Sequence, residues 1–409
     1  MPEKIPNTDA SVAEAWRILE ESVVPLADER VPLAQARGRL LREDVKADAD
    51  QPPFDRSAMD GYAFLPAAGA ANYRIIGTIK AGEVATQTPK TGEAFRIFTG
   101  AALPAAGMAV LMQEEARIEG EFLQIDRAVA PGENVRSKGS DMRKGDVVLT
   151  RETYLASAAL ALLASIGEVH PLVNAMPRVA HASTGDEIVP PETTPGPGQI
   201  RNSNQILIKS LLLGTIPDAN IHQEHWGDDL RQAALQLAAE PFASANVILI
   251  SGGASVGEHD YAARILEEAG YKLLVRKVNM RPGRPLLVGV RGQQIAFGLP
   301  GNPLSQFVCY HLFVHYTLIR MRGHALAIKS KPLTLVEPLM NCANPRPTYW
   351  PAALQFDKEK KETQVRPLPW NNSGHLAALV GANALILVPP GTKELPVGAT
   401  VDTIFIYPG

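Results

Sequence analysis

The stretch Val247-Ile248-Leu249-Ile250-Ser251-Gly252-Gly253-Ala254-Ser255-Val256-Gly257-Glu258-His259-Asp260-Tyr261 decides the fold of this chain. Its branched apolar residues run without alternation into a loop rich in glycine and serine, and an acidic residue then opens a helical pattern. A strand that is apolar on both faces belongs inside a parallel sheet, where helices cover it from both sides. Glycines let backbone amides close around an anion, and a helix N-terminus adds roughly half a positive charge. The segment is therefore a phosphate cradle in outline, with a plain strand-to-helix turn as the competing reading. Its spacing departs from G-x-G-x-x-G, and no lysine completes a Walker A loop. A nicotinamide or ATP enzyme of Rossmann type is disfavoured on that ground.

Outward from this point, residues 177–323 alternate between element types. Strands are expected at 178–182, 219–222, 246–250, 272–278 and 286–290. Helices are expected at 204–213, stopped by Gly214, at 228–239, at 260–269, stopped by Gly270, and at 304–321. Such alternation predicts an α/β domain with a doubly wound, mostly parallel sheet, whose ligands collect beyond the carboxyl ends of the strands. Upstream, residues 45–148 carry short alternating runs such as 73–79 and 94–98 between glycine-rich turns, the pattern of a β module. Val12, Ala15, Trp16, Leu19 and Val23 recur at helical spacing behind the capping candidates Thr8, Asp9 and Ser11. This opening helix is expected to pack with a second one at 153–166, in a helical module that the β module interrupts. The organisation expected is a helical module of residues 1–44 and 149–175, an inserted β module at 45–148, the α/β domain at 176–329 and a β module at 330–409.

Composition narrows the function classes. A chain of 409 residues with 45% hydrophobic and 20% charged residues has ample material for packed cores, which excludes wholesale disorder. Forty Lys+Arg against 43 Asp+Glu give a net charge of -3, so no basic field concentrates nucleic acid or anionic lipid around it. Two cysteines, Cys309 and Cys342, build no disulfide framework and fit a reducing cytosol. The N-terminus has no basic stretch followed by an apolar run, so no secretory signal is expected. The longest uncharged stretch, 153–167, is shorter than the ~20 apolar residues that span a bilayer.

Several further segments carry side chains with chemical potential. Gly298-Leu299-Pro300-Gly301-Asn302-Pro303-Leu304 joins a strand to a helix, with Pro303 at the first helical position, and could address the same ligand as the first loop. Asp186 and Glu187 follow the strand at 178–182 and suit a hard cation such as Mg²⁺, with Asp260 on the glycine loop as a third carboxylate. Asp228 and Asp229 either join that acidic group or simply cap the helix they precede. Arg281-Pro282-Gly283-Arg284-Pro285 sets two permanent cations on a stiff turn, which is either an oxyanion site or a solvated basic turn. Asp55, Ser57 and Asp60 occupy a tightly turned polar segment whose composition a turn network alone would explain. His222 with His225 and His311 with His315 lack the H-E-x-x-H pattern, and packed or solvated histidines are expected there. No G-x-S-x-G nucleophile elbow is present.

Taken in order, P-P-F-D-R-S-A-M-D-G-Y-A, I-F-T-G-A, N-V-R-S-K-G-S-D, S-T-G-D-E, S-G-G-A-S-V-G-E-H-D-Y, R-P-G-R-P, G-L-P-G-N-P and S-G-H-L resemble the molybdopterin molybdenumtransferase family, the MoeA and gephyrin E-domain type. The likeness runs over nearly the whole chain. It implies a cytoplasmic homodimer of elongated subunits with the four modules above, the last a β barrel. It implies adenylylated molybdopterin and molybdate as substrates, a divalent cation such as Mg²⁺, and molybdenum cofactor and AMP as products. The pterin adenylyltransferase joins the implied partners; nucleic acid and membrane do not. Motif by motif, the resemblance gives functional roles to Asp60, Thr99, Asp141, Glu187, Asp228 and Asp260. Substrate-binding positions are Ser251, Gly252, Gly253, Ser255 and Gly257 of the first loop, Arg281 and Arg284, Pro300, Gly301 and Asn302, and Ser373. Asp186, Glu187 and Asp260 are the implied metal ligands. The family's site lies between subunits, which would bring Asp60, Thr99 and Asp141 from the partner chain. Four positions depart from the family pattern: Met108 for Asp, Ser140 for Glu, Arg284 for Lys and Ala378 for Ser. They leave open an alternative in which a weakened paralogue serves as a dimeric scaffold for a protein partner.

Overall fold

In the computed structural model, which describes residues 9–67, 71–252, 261–324 and 330–406, the strand Val247–Ser251 lies inside a six-stranded sheet. Every residue of this strand is buried. The strand order is Ile221–Trp226, Val179–Thr184, Val247–Ser251, Gln294–Leu299, Leu287–Arg291 and Lys272–Val275. The first four strands pair in parallel, with Ser183 opposite Ser251 and Ser251 opposite Leu299. The last two run antiparallel, which makes the sheet mixed. The reason is local: Arg291 faces Gln294 across a two-residue turn with Gly292 at φ +59°, far too short for the crossover that a parallel neighbour needs.

Helices cover both faces. Val179, Val247 and Leu249 join one buried cluster, whereas Ala180, Ile248 and Ile250 join another, as strand alternation requires. Helix Ser203–Leu213 starts at Asn202, whose side chain accepts the Gln205 amide, and stops at Gly214. Helix Leu230–Leu237 starts at Asp229, which accepts the Gln232 amide at 3.0 Å. Asp229 is thus a cap, as one of its two readings had it. Pro303 opens the last helix at its first position, behind Asn302. That helix is not regular throughout: Pro303–Cys309 passes through a π turn, Tyr310–Val314, into His315–Met321.

The chain divides into two compact units, Met1–Ala27 with Ala175–Gly409, and Asp28–Asn174. This corrects the expected pairing of the two outer helices. Helix Val12–Ser22, fixed by a reciprocal Ser11/Glu14 capping box, buries Val12, Ala15, Ile18 and Leu19 in the core of the first unit. Its Trp16 Nε1 donates to the Leu312 carbonyl at 2.8 Å. Helix Ser157–Ser165 instead contributes Leu163 to a separate cluster with Val31, Leu41, Val45 and Val173. An apolar stripe specifies that a helix is covered but not by what.

The first unit also holds a five-stranded antiparallel sheet, ordered Ser330–Thr334, Thr400–Phe405, Ala384–Val388, Thr348–Asp357 and Glu362–Pro367. It curls until Leu335 bridges Val365, giving a half-barrel. The second unit is built on a six-stranded curled sheet with a buried cluster on each face, around Phe64 and Leu123 on one and Phe95 and Ile97 on the other. No helix among the described residues is long and apolar enough to cross a membrane.

Candidate active site

The carboxyl ends of the parallel strands bring three of the expected loops together. Gly252 has φ +100°, and a Cβ there would meet the Thr184 carbonyl oxygen at 2.9 Å. The first glycine loop thus leaves its strand in contact with the end of the neighbouring one, at a position open only to glycine. The second loop adjoins it: a Cβ on Gly301 would lie 3.9 Å from the Gly252 Cα. Gly253, Ser255, Gly257 and Asp260 lie outside the described residues.

Acidic groups gather at the same edge. The Asp228 amide donates to Asp186 Oδ1 at 3.2 Å, and the Asp186 amide donates to Asp228 Oδ2 at 3.4 Å. This reciprocal clasp ties the end of Val179–Thr184 to that of Ile221–Trp226. Glu187 folds back over Gly185, at φ +128°, where any Cβ would collide with its carboxylate. Among the described residues no three His, Cys, Asp or Glu side chains form a closed metal cage. Asp186, Glu187 and Asp228 nonetheless present oxygen donors only, and these suit Mg²⁺ better than a softer metal.

Beside this edge, in the same unit, is a cavity of about 410 Å³. One wall is the Arg281–Pro285 turn, held against the half-barrel because the Arg281 amide donates to the Pro347 carbonyl and the Tyr349 amide to the Arg281 carbonyl, both at 2.8 Å. The Arg281 guanidinium stacks 4.7 Å above the Trp370 ring. Across the cavity, Asn302 Nδ2 donates to Ser373 Oγ at 2.8 Å, and the Leu304 amide donates to the Ser373 carbonyl at 3.2 Å. Pro300, Gly301, Asn302 and Ser373, expected at the site from separate motifs, therefore share one pocket with Arg281 and Arg284.

Sequence reasoning missed a third cation, Arg346, which lines the same cavity and donates from Nη1 to the Met280 carbonyl at 3.0 Å. Burial, followed by the neighbouring Arg284 and Arg281 charges, lowers its pKa from the ordinary guanidinium value. Three guanidinium groups, one of them paired with Asp9, thus face one cavity.

Residues 10–167 match the MoeA N-terminal region (domain I and II), residues 180–320 a probable molybdopterin binding domain, and residues 340–406 the MoeA C-terminal region (domain IV). A molybdopterin molybdenumtransferase of Staphylococcus epidermidis is 30% identical, spanning 97% of this chain and 96% of the relative. One from Staphylococcus aureus is 32% identical, over 91% of this chain and 90% of the relative. The chain belongs to the MoeA family of molybdopterin molybdenumtransferases. A crystal structure of a molybdopterin biosynthesis MoeA protein from Pyrococcus horikoshii has the same architecture, with a TM-score of 0.72, 26% identity and coverage of 97% and 100%.

The remaining expected residues of this MoeA-type chain lie in the second unit. Asp60 Oδ1 accepts both the Thr99 amide and the Thr99 hydroxyl at 2.7 Å. The Thr99 backbone N–H is the main reason that the Asp60 carboxyl lies below its usual pKa. Asp141 takes both its oxygens to one Arg136 nitrogen at 2.7 Å, and that pairing likewise lowers its pKa. Of the four departures from the family pattern, Met108 and Ala378 are buried in packed clusters. Ser140 donates to Asp141 Oδ1 at 3.3 Å. None of these three lines the cavity.

Beneath the first glycine loop sits His181, also missed, fully buried on Val179–Thr184. Gln223 Nε2 donates to its Nδ1 at 2.7 Å, which leaves Nε2–H to donate to Ser251 Oγ at 2.8 Å. Burial pushes its pKa down from 6.5 to about 3, and pushes those of His311 and His315 down to about 3 and about 4. The unfolded chain takes up these protons first, so the stability contribution is complete above pH 6.5 and declines as pH falls toward 4 for His315 and toward 3 for His181 and His311. His181 alone is expected to cost about 2 kcal/mol by pH 5. Urea midpoints measured from pH 7.5 to 5 check this. A decline no shallower in His181→Gln than in wild type would show that this imidazole is not the titrating group.

Proposed function

We propose that this enzyme inserts molybdate into adenylylated molybdopterin and releases AMP, with a divalent cation, Mg²⁺, as cofactor. The observation that carries the reading is the convergence of Arg281, Arg284 and Arg346 on a cavity whose opposite wall is the Pro300–Ser373 side, in the unit that also bears the acidic sheet edge. Tetrahedral molybdate has two charges and no apolar surface, so its capture falls to fixed cations and polar donors. The Trp370 ring and the backbone bonds at residue 281 keep one guanidinium from reorienting, which reduces the ordering cost of binding. Asp186, Glu187 and Asp228, with Asp260 on the adjoining loop, would hold Mg²⁺, which when bound neutralises phosphoryl charge at the phosphoanhydride. The glycine-rich sequence that follows Ser251 suits an amide cradle for the pterin phosphate, and Ser251 itself is held by a hydrogen bond from His181.

The test is to mix the protein with adenylylated molybdopterin, Mg²⁺ and molybdate and to measure AMP. Absence of AMP under conditions in which an active relative releases it would overturn the reading. The cytoplasm is the proposed compartment, and the pterin adenylyltransferase the proposed supplier of substrate.

The same reading makes the working form a homodimer in which Asp60, Thr99 and Asp141 act on the partner's cavity. It is supported by the family membership and by the exposure of Thr99 and Asp141, with Asp60 partly exposed beside Thr99. Inactive Asp60→Ala and Glu187→Gln chains, mixed and allowed to exchange, are then expected to recover about a quarter of the wild-type rate, because half the dimers regain one intact site of two. No recovery, with mixed dimers verified by mass, would show that each site is built within one chain.

A further inference from the structure

One of the arginines that line the cavity, Arg284, is already paired with a carboxylate of this chain. Asp9 Oδ2 accepts from Arg284 Nε at 2.6 Å and Asp9 Oδ1 from Arg284 Nη2 at 3.3 Å, the two-pronged geometry that a free oxyanion would adopt on the same guanidinium. The contact is built in by the backbone. The Ala10 amide donates to the Lys277 carbonyl at 3.0 Å and the Asn279 amide to the Ala10 carbonyl at 2.7 Å, so residues 9–10 run as an extra bridge alongside Val278, just before the arginine turn. Arg281 and Arg346 have no acidic side chain within salt-bridge distance among the described residues, and both line the cavity.

We propose that Asp9 sets the anion affinity of this cavity: it neutralises Arg284, leaves Arg281 and Arg346 to match the two charges of a tetrahedral dianion, and keeps the site from holding anions too tightly. The inference rests on the oxyanion reading of the cavity and assigns its charge balance. A third uncompensated guanidinium would strengthen capture of every divalent anion, abundant sulfate and phosphate included, without any feature that favours molybdate. Asp9 removes that indiscriminate attraction, leaving the choice to the shape and polar donors of the opposite wall. The Arg284 charge itself is secured, because the hydrogen bond it donates to Asp9 raises its pKa.

The test is calorimetric titration of the apoprotein with molybdate and, separately, with sulfate at low, fixed ionic strength. Wild type is compared with Asp9→Asn, Asp9→Glu, Arg284→Ala, Arg346→Ala and the Asp9→Asn/Arg284→Ala double variant. Asp9→Asn preserves shape and is expected to tighten both anions roughly tenfold, an effect that salt weakens. Asp9→Glu, which keeps the charge, should remain near wild type. In the double variant the Asp9 substitution should offset part of the Arg284→Ala loss, since a carboxylate without its guanidinium repels the anion and still acts on Arg346. If Arg346→Ala weakens molybdate but Asp9→Asn changes neither anion, the Asp9 inference fails and the oxyanion cavity stands. If none of the variants alters molybdate binding, the cavity reading fails and the inference with it.

Discussion

Arg346→Ala is expected to raise the molybdate concentration for half-maximal AMP release roughly thirtyfold, corresponding to about 2 kcal/mol for one charge-assisted contact to a dianion. Two features make this effect large. Among the described residues Arg346 has no carboxylate within salt-bridge distance, unlike Arg284 with Asp9. Its head group is positioned by the hydrogen bond to the Met280 carbonyl, so little side-chain freedom is lost on binding. Removing Arg284 and Asp9 together, a cation with its paired carboxylate, should cost less, whereas Arg284→Ala alone leaves the Asp9 carboxylate to repel the anion. The half-saturating concentration of adenylylated molybdopterin should move less than that of molybdate. A molybdate titration of the folded Arg346→Ala protein at fixed ionic strength decides the matter, and unchanged dependence would remove Arg346 from the site.

That Arg346 escaped sequence reasoning has a physical explanation. It stands in Asn344-Pro345-Arg346-Pro347, a segment with neither periodicity nor a ligand motif. It reaches the cavity because Arg281 bridges Thr348 between two distant segments. Asp9 was visible only as a capping candidate, since local spacing cannot reveal a contact with Arg284. His181 broke the apolar pattern of its strand, and that break was a signal available in the sequence. A histidine inside a strand buried on both faces must find partners, here Gln223 and Ser251.

What was legible follows from shorter-range physics. The unbroken apolar run at 247–250 needed cover on both faces and has it, and Gly214 ended its helix as expected. Pro303 stands at a helix start. The meeting of the first glycine loop with the Pro300–Asn302 loop follows once the parallel strands are aligned, because that alignment carries both loops to one edge. The π turn at Tyr310–Val314 was not legible: residues 304–321 keep an apolar pattern that one regular helix would satisfy equally well.

Glu187→Gln is expected to reduce AMP release about a hundredfold at limiting Mg²⁺, within the range by which loss of a metal-supporting group lowers affinity or activity. The amide has nearly the same shape as the carboxylate, so the close approach to Gly185 survives while the charge that a hard cation requires is gone. Raising Mg²⁺ should restore part of the rate, which no defect in folding would allow. Asp186 provides the contrast. Its Oδ1 accepts the Asp228 amide, and asparagine retains an oxygen for that bond, so Asp186→Asn keeps the clasp between the two strand ends. Any Mg²⁺-dependent loss in that variant therefore reports charge at the sheet edge and not a broken loop. Asp228→Asn should behave like Glu187→Gln, because its carboxylate bridges to the same segment through the Asp186 amide. Rates measured across a Mg²⁺ series, with thermal unfolding as a check on the fold, separate these cases. Wild-type turnover at limiting Mg²⁺ in both Glu187→Gln and Asp228→Asn would mean that the acidic edge joins strands and holds no cation.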